Sequence, residues 1–154
     1  MTISTTYSTS EVLSRLSSSI QKPHLNIFSY PQAEPPFIGK MNGNRFSVYR
    51  AIQYRNSFLP IIKGVILPKG DHAEISIRMI LHPIITAFMC VWMGGIVFFI
   101  ALVITFHFKD ELLVNPAIAL LMPLGMMTFG YLLMTVPFQV EAKKAEAIIK
   151  NIIT

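Results

Sequence analysis

Two long stretches of this sequence hold no charge at all: neither Asp, Glu, Lys nor Arg occurs between Arg78 and Lys109, or between Glu111 and Glu141. Helices of a soluble core normally show a polar stripe, and neither stretch has one, which argues against the alternative of two buried helices in a soluble core. A bilayer core takes about 20 apolar residues as helix and penalises a central charge by about 2.5–3.5 kcal/mol. Residues 84–106 and 117–136 are therefore expected to cross a membrane twice, as a two-helix transmembrane hairpin. With 53% hydrophobic and 14% charged residues in 154, the apolar excess of the chain is concentrated there.

Other scarcities narrow the possibilities further. The single cysteine, Cys90, lies inside the first apolar run, so no intrachain disulfide can form and packing is its expected role. Residues 1–19 are rich in Ser and Thr and lack the basic start and continuous apolar run of a secretory leader, so the first span is expected to direct insertion. The histidines His24, His72, His82 and His107 are scattered without metal-ligand spacing, and no glycine-rich phosphate loop or nucleophile motif occurs. Neither enzyme activity, a metal nor a cofactor is expected from this pattern. Lys and Arg number 13 against 8 Asp and Glu, but Arg78, Lys143 and Lys144 flank the spans, and no nucleic-acid motif accompanies them. Positive residues are retained in the cytoplasm, which predicts both termini inside and residues 107–115 outside.

The remainder reads as an α+β membrane protein. Ser8 and Glu11 have capping-box spacing, and Val12, Leu13, Leu16 and Ile20 share a helical face, predicting an amphipathic helix over 9–19. Pro23, Pro31, Pro35 and Pro36 then impose an extended connector. Period-two segments at 37–41 and 45–52 flank Asn42-Gly43, a dipeptide suited to a two-residue hairpin turn; further strands are expected at 61–67 and 73–81, joined by Pro68-Lys69-Gly70-Asp71. Together these make an antiparallel four-stranded β-meander. His82-Pro83 ends the last strand and opens the first span, so the sheet is expected to feed directly into the bilayer. After Pro137, the face Ala145, Ile148, Ile149, Ile152 and Ile153 predicts an amphipathic C-terminal helix. That helix either covers the sheet or lies along the inner leaflet. The expected segments are 1–36 (N-terminal helix and connector), 37–82 (cytoplasmic β-meander), 83–137 (transmembrane hairpin) and 138–154 (C-terminal helix completing the cytoplasmic domain).

Within the spans, Ala87, Cys90, Gly94, Gly95 and Ala101 in the first, with Gly125 and Gly130 in the second, form seams of small residues. Such seams permit close helix approach and are expected to pack the hairpin or a homo-oligomer. Pro123 is expected to kink the second span.

The segment from Tyr54 to Pro60 places Arg55, Asn56 and Ser57 between aromatic residues where two strands must connect. Two readings stand side by side: the polar groups satisfy the backbone of a tight loop, or they join Arg45, Arg50, Lys63 and Arg78 in a positive surface for an anionic lipid, a small ligand or an acidic protein partner. The run Phe37-Ile38-Gly39-Lys40, with Asn44-Arg45-Phe46, Tyr49-Arg50, Tyr54-Arg55-Asn56-Ser57-Phe58-Leu59-Pro60 and Leu81-His82-Pro83, resembles a group of small bacterial two-span membrane proteins. That resemblance implies a bacterial inner-membrane setting and brings no activity with it. A sheet closed by a C-terminal helix is also similar to bacterial pleckstrin-homology-like domains, as a likeness of fold alone. The expectation drawn from the sequence is a membrane-anchored binding or scaffolding module; a ligand-triggered effector that oligomerises and perturbs the bilayer is the alternative, with a membrane-bound enzyme third.

Overall fold

The computed structural model describes residues 1–22, 35–109 and 115–153, and in them the chain is α+β, with one six-stranded, mostly antiparallel sheet and three helices. In chain order the elements are β1 (Thr2–Ser4), α1 (Thr9–Ser18), β2 (Ile20–Gln21), β3 (Phe37–Asn42), β4 (Arg45–Arg50), β5 (Ile61–Lys69), β6 (His72–Ile80), α2 (Pro83–Phe108) and α3 (Pro116–Ile153). Most of the expected connector (residues 23–34) and the middle of the expected outer tip (residues 110–114) lie outside the described residues.

The sheet order is β1-β6-β5-β4-β3-β2. Six strands replace the expected four because the edges of β6 and β3 recruit segments too short to show a period of their own. β1 pairs antiparallel with β6, and Ala73 N–H donates to Tyr7 O at 3.0 Å just beyond it. β2 runs parallel to β3, joined by Phe37 N–H to Ser19 O at 3.2 Å. These short strands pair part of each edge and leave only a few residues of strand at either end of the sheet, one of the ways in which edge pairing with other chains is limited.

The turns are shifted from their expected places. Asn42 pairs with Arg45 and Lys69 with His72, so the two-residue turns are Gly43-Asn44 and Gly70-Asp71. Gly43 (φ 55°) and Gly70 (φ 65°) take the left-handed conformation at the first turn position, where side chains are disfavoured. Pro68 belongs to β5, opposite Ala73, rather than to the turn.

One sheet face is buried. Phe46, Val48, Ile62, Ile66, Ala73, Ile75 and Ile77 form a core with Val12 and Leu16 of α1 and Ala145, Ile149 and Ile153 of α3. Both amphipathic terminal helices thus bury their apolar faces on the sheet. The start of α1 follows from Ser8, whose hydroxyl accepts the Glu11 amide at 3.3 Å. Gly64 leaves room for the ring of its cross-strand partner Phe46; a Cβ there would come within 2.0 Å of the ring.

The chain divides into two units, Met1–His82 with Phe138–Thr154, and Pro83–Pro137. α2 (26 residues) and α3 (38 residues) are each long and apolar enough to cross a membrane. α3 passes without interruption through Pro123 and Pro137, so the expected C-terminal helix is the continuation of the second apolar run. Each proline removes one intrahelical hydrogen bond, and the helix continues on both sides. Only part of the expected small-residue seam is packed between the two apolar helices. A Cβ at Gly94, Gly95 or Gly125 would find no atom within 4 Å, and Ala87, Cys90 and Ala101 are exposed. The buried residues of α2 are instead Met89, Ile96 and Val103, spaced by seven. Gly130 alone among the expected seam residues accepts a neighbour, the Trp92 indole with the Met93 methyl beside it. At Gly130, therefore, the Trp92 ring occupies the space that a side chain would have taken.

Candidate functional site

Because alternate residues of a strand face opposite ways, burying Phe46, Val48, Ile62, Ile75 and Ile77 turns Arg45, Ser47, Lys63, Ser76 and Arg78 to the other side of the sheet, where all five are exposed. Strand register then decides which of them become neighbours. Lys40 pairs with Ser47, Ser47 with Lys63, and Lys63 with Arg78, forming one row across β3, β4, β5 and β6. The next row along contains Asn42, Arg45, Val65 and Ser76. These residues line an open groove of about 460 Å³ whose described lining holds four cations and no Asp or Glu.

Two properties mark this surface. Lys63 and Arg78 stand directly opposite each other, an arrangement that is destabilising for like charges. Among the described residues, moreover, no ion pair engages Lys40, Arg45, Lys63 or Arg78. The nearest acid along the same face of β6, Glu74, is held by Lys69 at 2.5 Å. Ser47, Ser76 and Asn42 add neutral hydrogen-bonding groups between the cations. Such a surface suits an anion that accepts several hydrogen bonds at once, as phosphate does.

The expected binding residues separate into three groups. Arg45, Lys63 and Arg78 line the groove, joined by Lys40, which the sequence reading left out. Arg50 faces elsewhere: its Nε and Nη2 donate to Glu141 Oε2 at 2.8 and 2.7 Å, and its Nη2 also donates to Tyr54 Oη at 3.0 Å. Tyr54 in turn donates to Glu141 Oε1, which Lys144 approaches at 3.2 Å. Glu141 is only 2% exposed. Burial pushes its pKa up, but hydrogen bonds from Tyr54, Arg50 and Lys144 and the charge of Arg50 outweigh that, leaving it below the ordinary glutamate value. Arg50 is thus a structural cation that ties the end of β4 to α3, 91 positions away.

The loop after β4 follows the structural alternative. Asn56 Oδ1 accepts the Phe58 amide at 2.9 Å, and Leu59 N–H donates to Asn56 O at 3.3 Å. This is a side-chain-stabilised turn of the kind Asn favours. Arg55 and Ser57 are exposed on that loop and do not line the groove. The signal that finds Lys40 is the alternation of β3 read together with its register against β4; composition alone does not separate it from other surface lysines. Among protein-family models, curated proteins and solved structures, none matches this chain.

Proposed function

We propose that the chain is an integral protein of the bacterial inner membrane, anchored by a hairpin of its two apolar helices with both termini in the cytoplasm. Its sheet recognises anionic lipid headgroups through Lys40, Arg45, Lys63 and Arg78. The observation that carries this reading is the directly opposed Lys63 and Arg78, neither of which has an ion pair with an acid among the described residues, because like-charge neighbours on a strand pair lower stability unless a counter-anion sits between them. Connectivity favours lipid over a diffusing partner: Arg78 precedes the first residue of α2, Pro83, by only five positions, a tether of at most about 18 Å of extended chain. At about 1 kcal/mol for each Lys or Arg near an anionic leaflet, four cations would favour it by up to about 4 kcal/mol at moderate salt.

The test uses the full chain purified in a neutral detergent. Native mass spectrometry would compare retention of phosphatidylglycerol and phosphatidylcholine by the original protein and by a variant carrying K40Q, R45Q, K63Q and R78Q. The proposal expects anionic lipid to be retained at least tenfold better, with that preference abolished in the variant. Equal retention of the two lipids by the original protein would overturn it, and would point instead to an acidic protein as the partner of this face.

A further inference from the structure

Polarity on the open face of the sheet changes in one direction, row by row, and we infer that the apolar end of this face dips into the anionic leaflet, placing Tyr49, Ile61 and Ile80 at the boundary with the acyl chains and the cations among the headgroups. This deepens the headgroup reading and rests on it, with the assembled leaflet as the ligand. Ile38 stands opposite Tyr49 and Ile61 opposite Ile80, and Tyr49 and Ile61 adjoin the paired Val48 and Ile62, so these four residues make one uncharged row across β3, β4, β5 and β6. Lys40, Ser47, Lys63 and Arg78 follow as the next row, then Asn42, Arg45, Val65 and Ser76. The first acid on this face, Glu74, comes only in the row beyond, opposite Leu67 and Ser4.

Order and spacing both fit a membrane surface. Alternate residues of a strand are about 7 Å apart, so the cationic row stands about 7 Å from the apolar one. Amphipathic anchors bury their apolar side about 5–10 Å into the boundary between headgroups and acyl chains. An apolar row at that depth leaves the next row among lipid phosphates. Tyr49 is 37% exposed and Ile61 and Ile80 are half-buried, so apolar surface remains open there, whereas Ile38 is covered. Tyrosine suits this level because its ring is apolar while its hydroxyl stays hydrated. Both chain segments that lead to the apolar helices also leave the sheet from this end. Ile80, the last residue of β6, precedes Pro83 by three positions, at most about 10 Å of extended chain. Glu141, bound to Arg50 at the end of β4, follows Pro137, where the unit of apolar helices ends, by four positions.

The experiment uses the full chain in vesicles of phosphatidylcholine with phosphatidylglycerol. In a Trp92→Phe background, which removes the single native tryptophan, Tyr49→Trp and Leu67→Trp place a probe on the apolar row and three rows away on the same face, about 20 Å apart along the strands. Quenching by phosphatidylcholine brominated near the top of its acyl chains reports contact with the boundary. The expected result is quenching at least threefold stronger at position 49 than at position 67, with blue-shifted emission at 49. Equal quenching at the two positions, strong or weak, overturns the graded insertion; weak quenching at both leaves the row for an apolar protein surface. The headgroup reading then stands or falls separately, on the preference for phosphatidylglycerol in detergent. Stronger quenching at 49 in pure phosphatidylcholine vesicles, with no such preference in detergent, keeps the apolar insertion and overturns the role of the cations. Circular dichroism melts establish that each variant is folded. Where Trp92→Phe is not, a nitroxide attached at Tyr49→Cys or Leu67→Cys, in a Cys90→Ser background, gives the same comparison through its accessibility to oxygen.

Discussion

Replacing Lys63 by Glu would turn the like-charge pair into an ion pair with Arg78 at the same register position. Cross-strand charge pairs contribute roughly 0.2–1 kcal/mol, and like charges lose a similar amount, so relieving one and gaining the other should stabilise the sheet by about 0.4–2 kcal/mol. For a unit of roughly 100 residues, each kcal/mol corresponds to about 4–8 °C in melting temperature, so K63E should melt several degrees higher. Both side chains are exposed, so the gain should shrink as added salt screens it. Far-ultraviolet circular dichroism of the full chain in neutral detergent, at low salt and at high salt, measures this, with anionic-lipid retention followed on the same samples. The expected result is a more stable protein that binds anionic lipid less well. A melting temperature that falls at low salt, or does not move, would refute the claim that opposed cations are held there at a cost to the fold.

Three further outcomes follow from the same structure. Glu141→Gln removes the counter-charge of a largely buried Arg50, whose side chain is 17% exposed; it should cost about 2–4 kcal/mol in denaturant unfolding, and Glu141→Leu with Arg50→Met should restore much of it. Since the folded pKa of Glu141 lies below its unfolded value, its stabilising contribution is complete above about pH 4.5 and is lost as pH falls through the folded value; acid melts of the original protein should show this loss, and Glu141→Gln should lack that part. Gly64→Ala drives a methyl group into the Phe46 ring and should cost about 1–3 kcal/mol, read as a lower melting temperature that Phe46→Leu partly rescues. Gly130→Leu must displace the Trp92 indole and should change tryptophan fluorescence in detergent, whereas Gly94→Leu, at a position with open space around it, should leave that spectrum unchanged.

Much of the architecture was legible in local pattern. The charge-free runs between Arg78 and Lys109 and between Glu111 and Glu141 coincide with the most apolar parts of α2 and α3. Ser8 and Glu11 place the start of α1, the face Ala145, Ile149, Ile153 is buried, and alternation in β3 to β6 names the inward residues. These signals work because a helix repeats every 3.6 residues and a strand every two, so burial on one side writes itself into a short window of sequence. Placement of Arg45, Lys63 and Arg78 on a common face follows from the same alternation once the strands are paired.

Register and long-range pairing were not legible. A turn at Gly43-Asn44 rather than Asn42-Gly43 moves every partner of β3 by two residues along β4, setting Lys40 beside Ser47 instead of opposite Arg45. Arg50 looked like one more surface cation until α3 brought Glu141 against it from 91 residues away, and the edge strands β1 and β2 have too few residues to announce themselves. By itself, then, the sequence determined which segments avoid water and which residues point to the same side of each element, since both depend on neighbours a few positions apart. Which cations acquire a partner, and which are left facing one another across two strands, was decided only by the tertiary structure, because charge pairing depends on spatial distance that the order of residues does not encode.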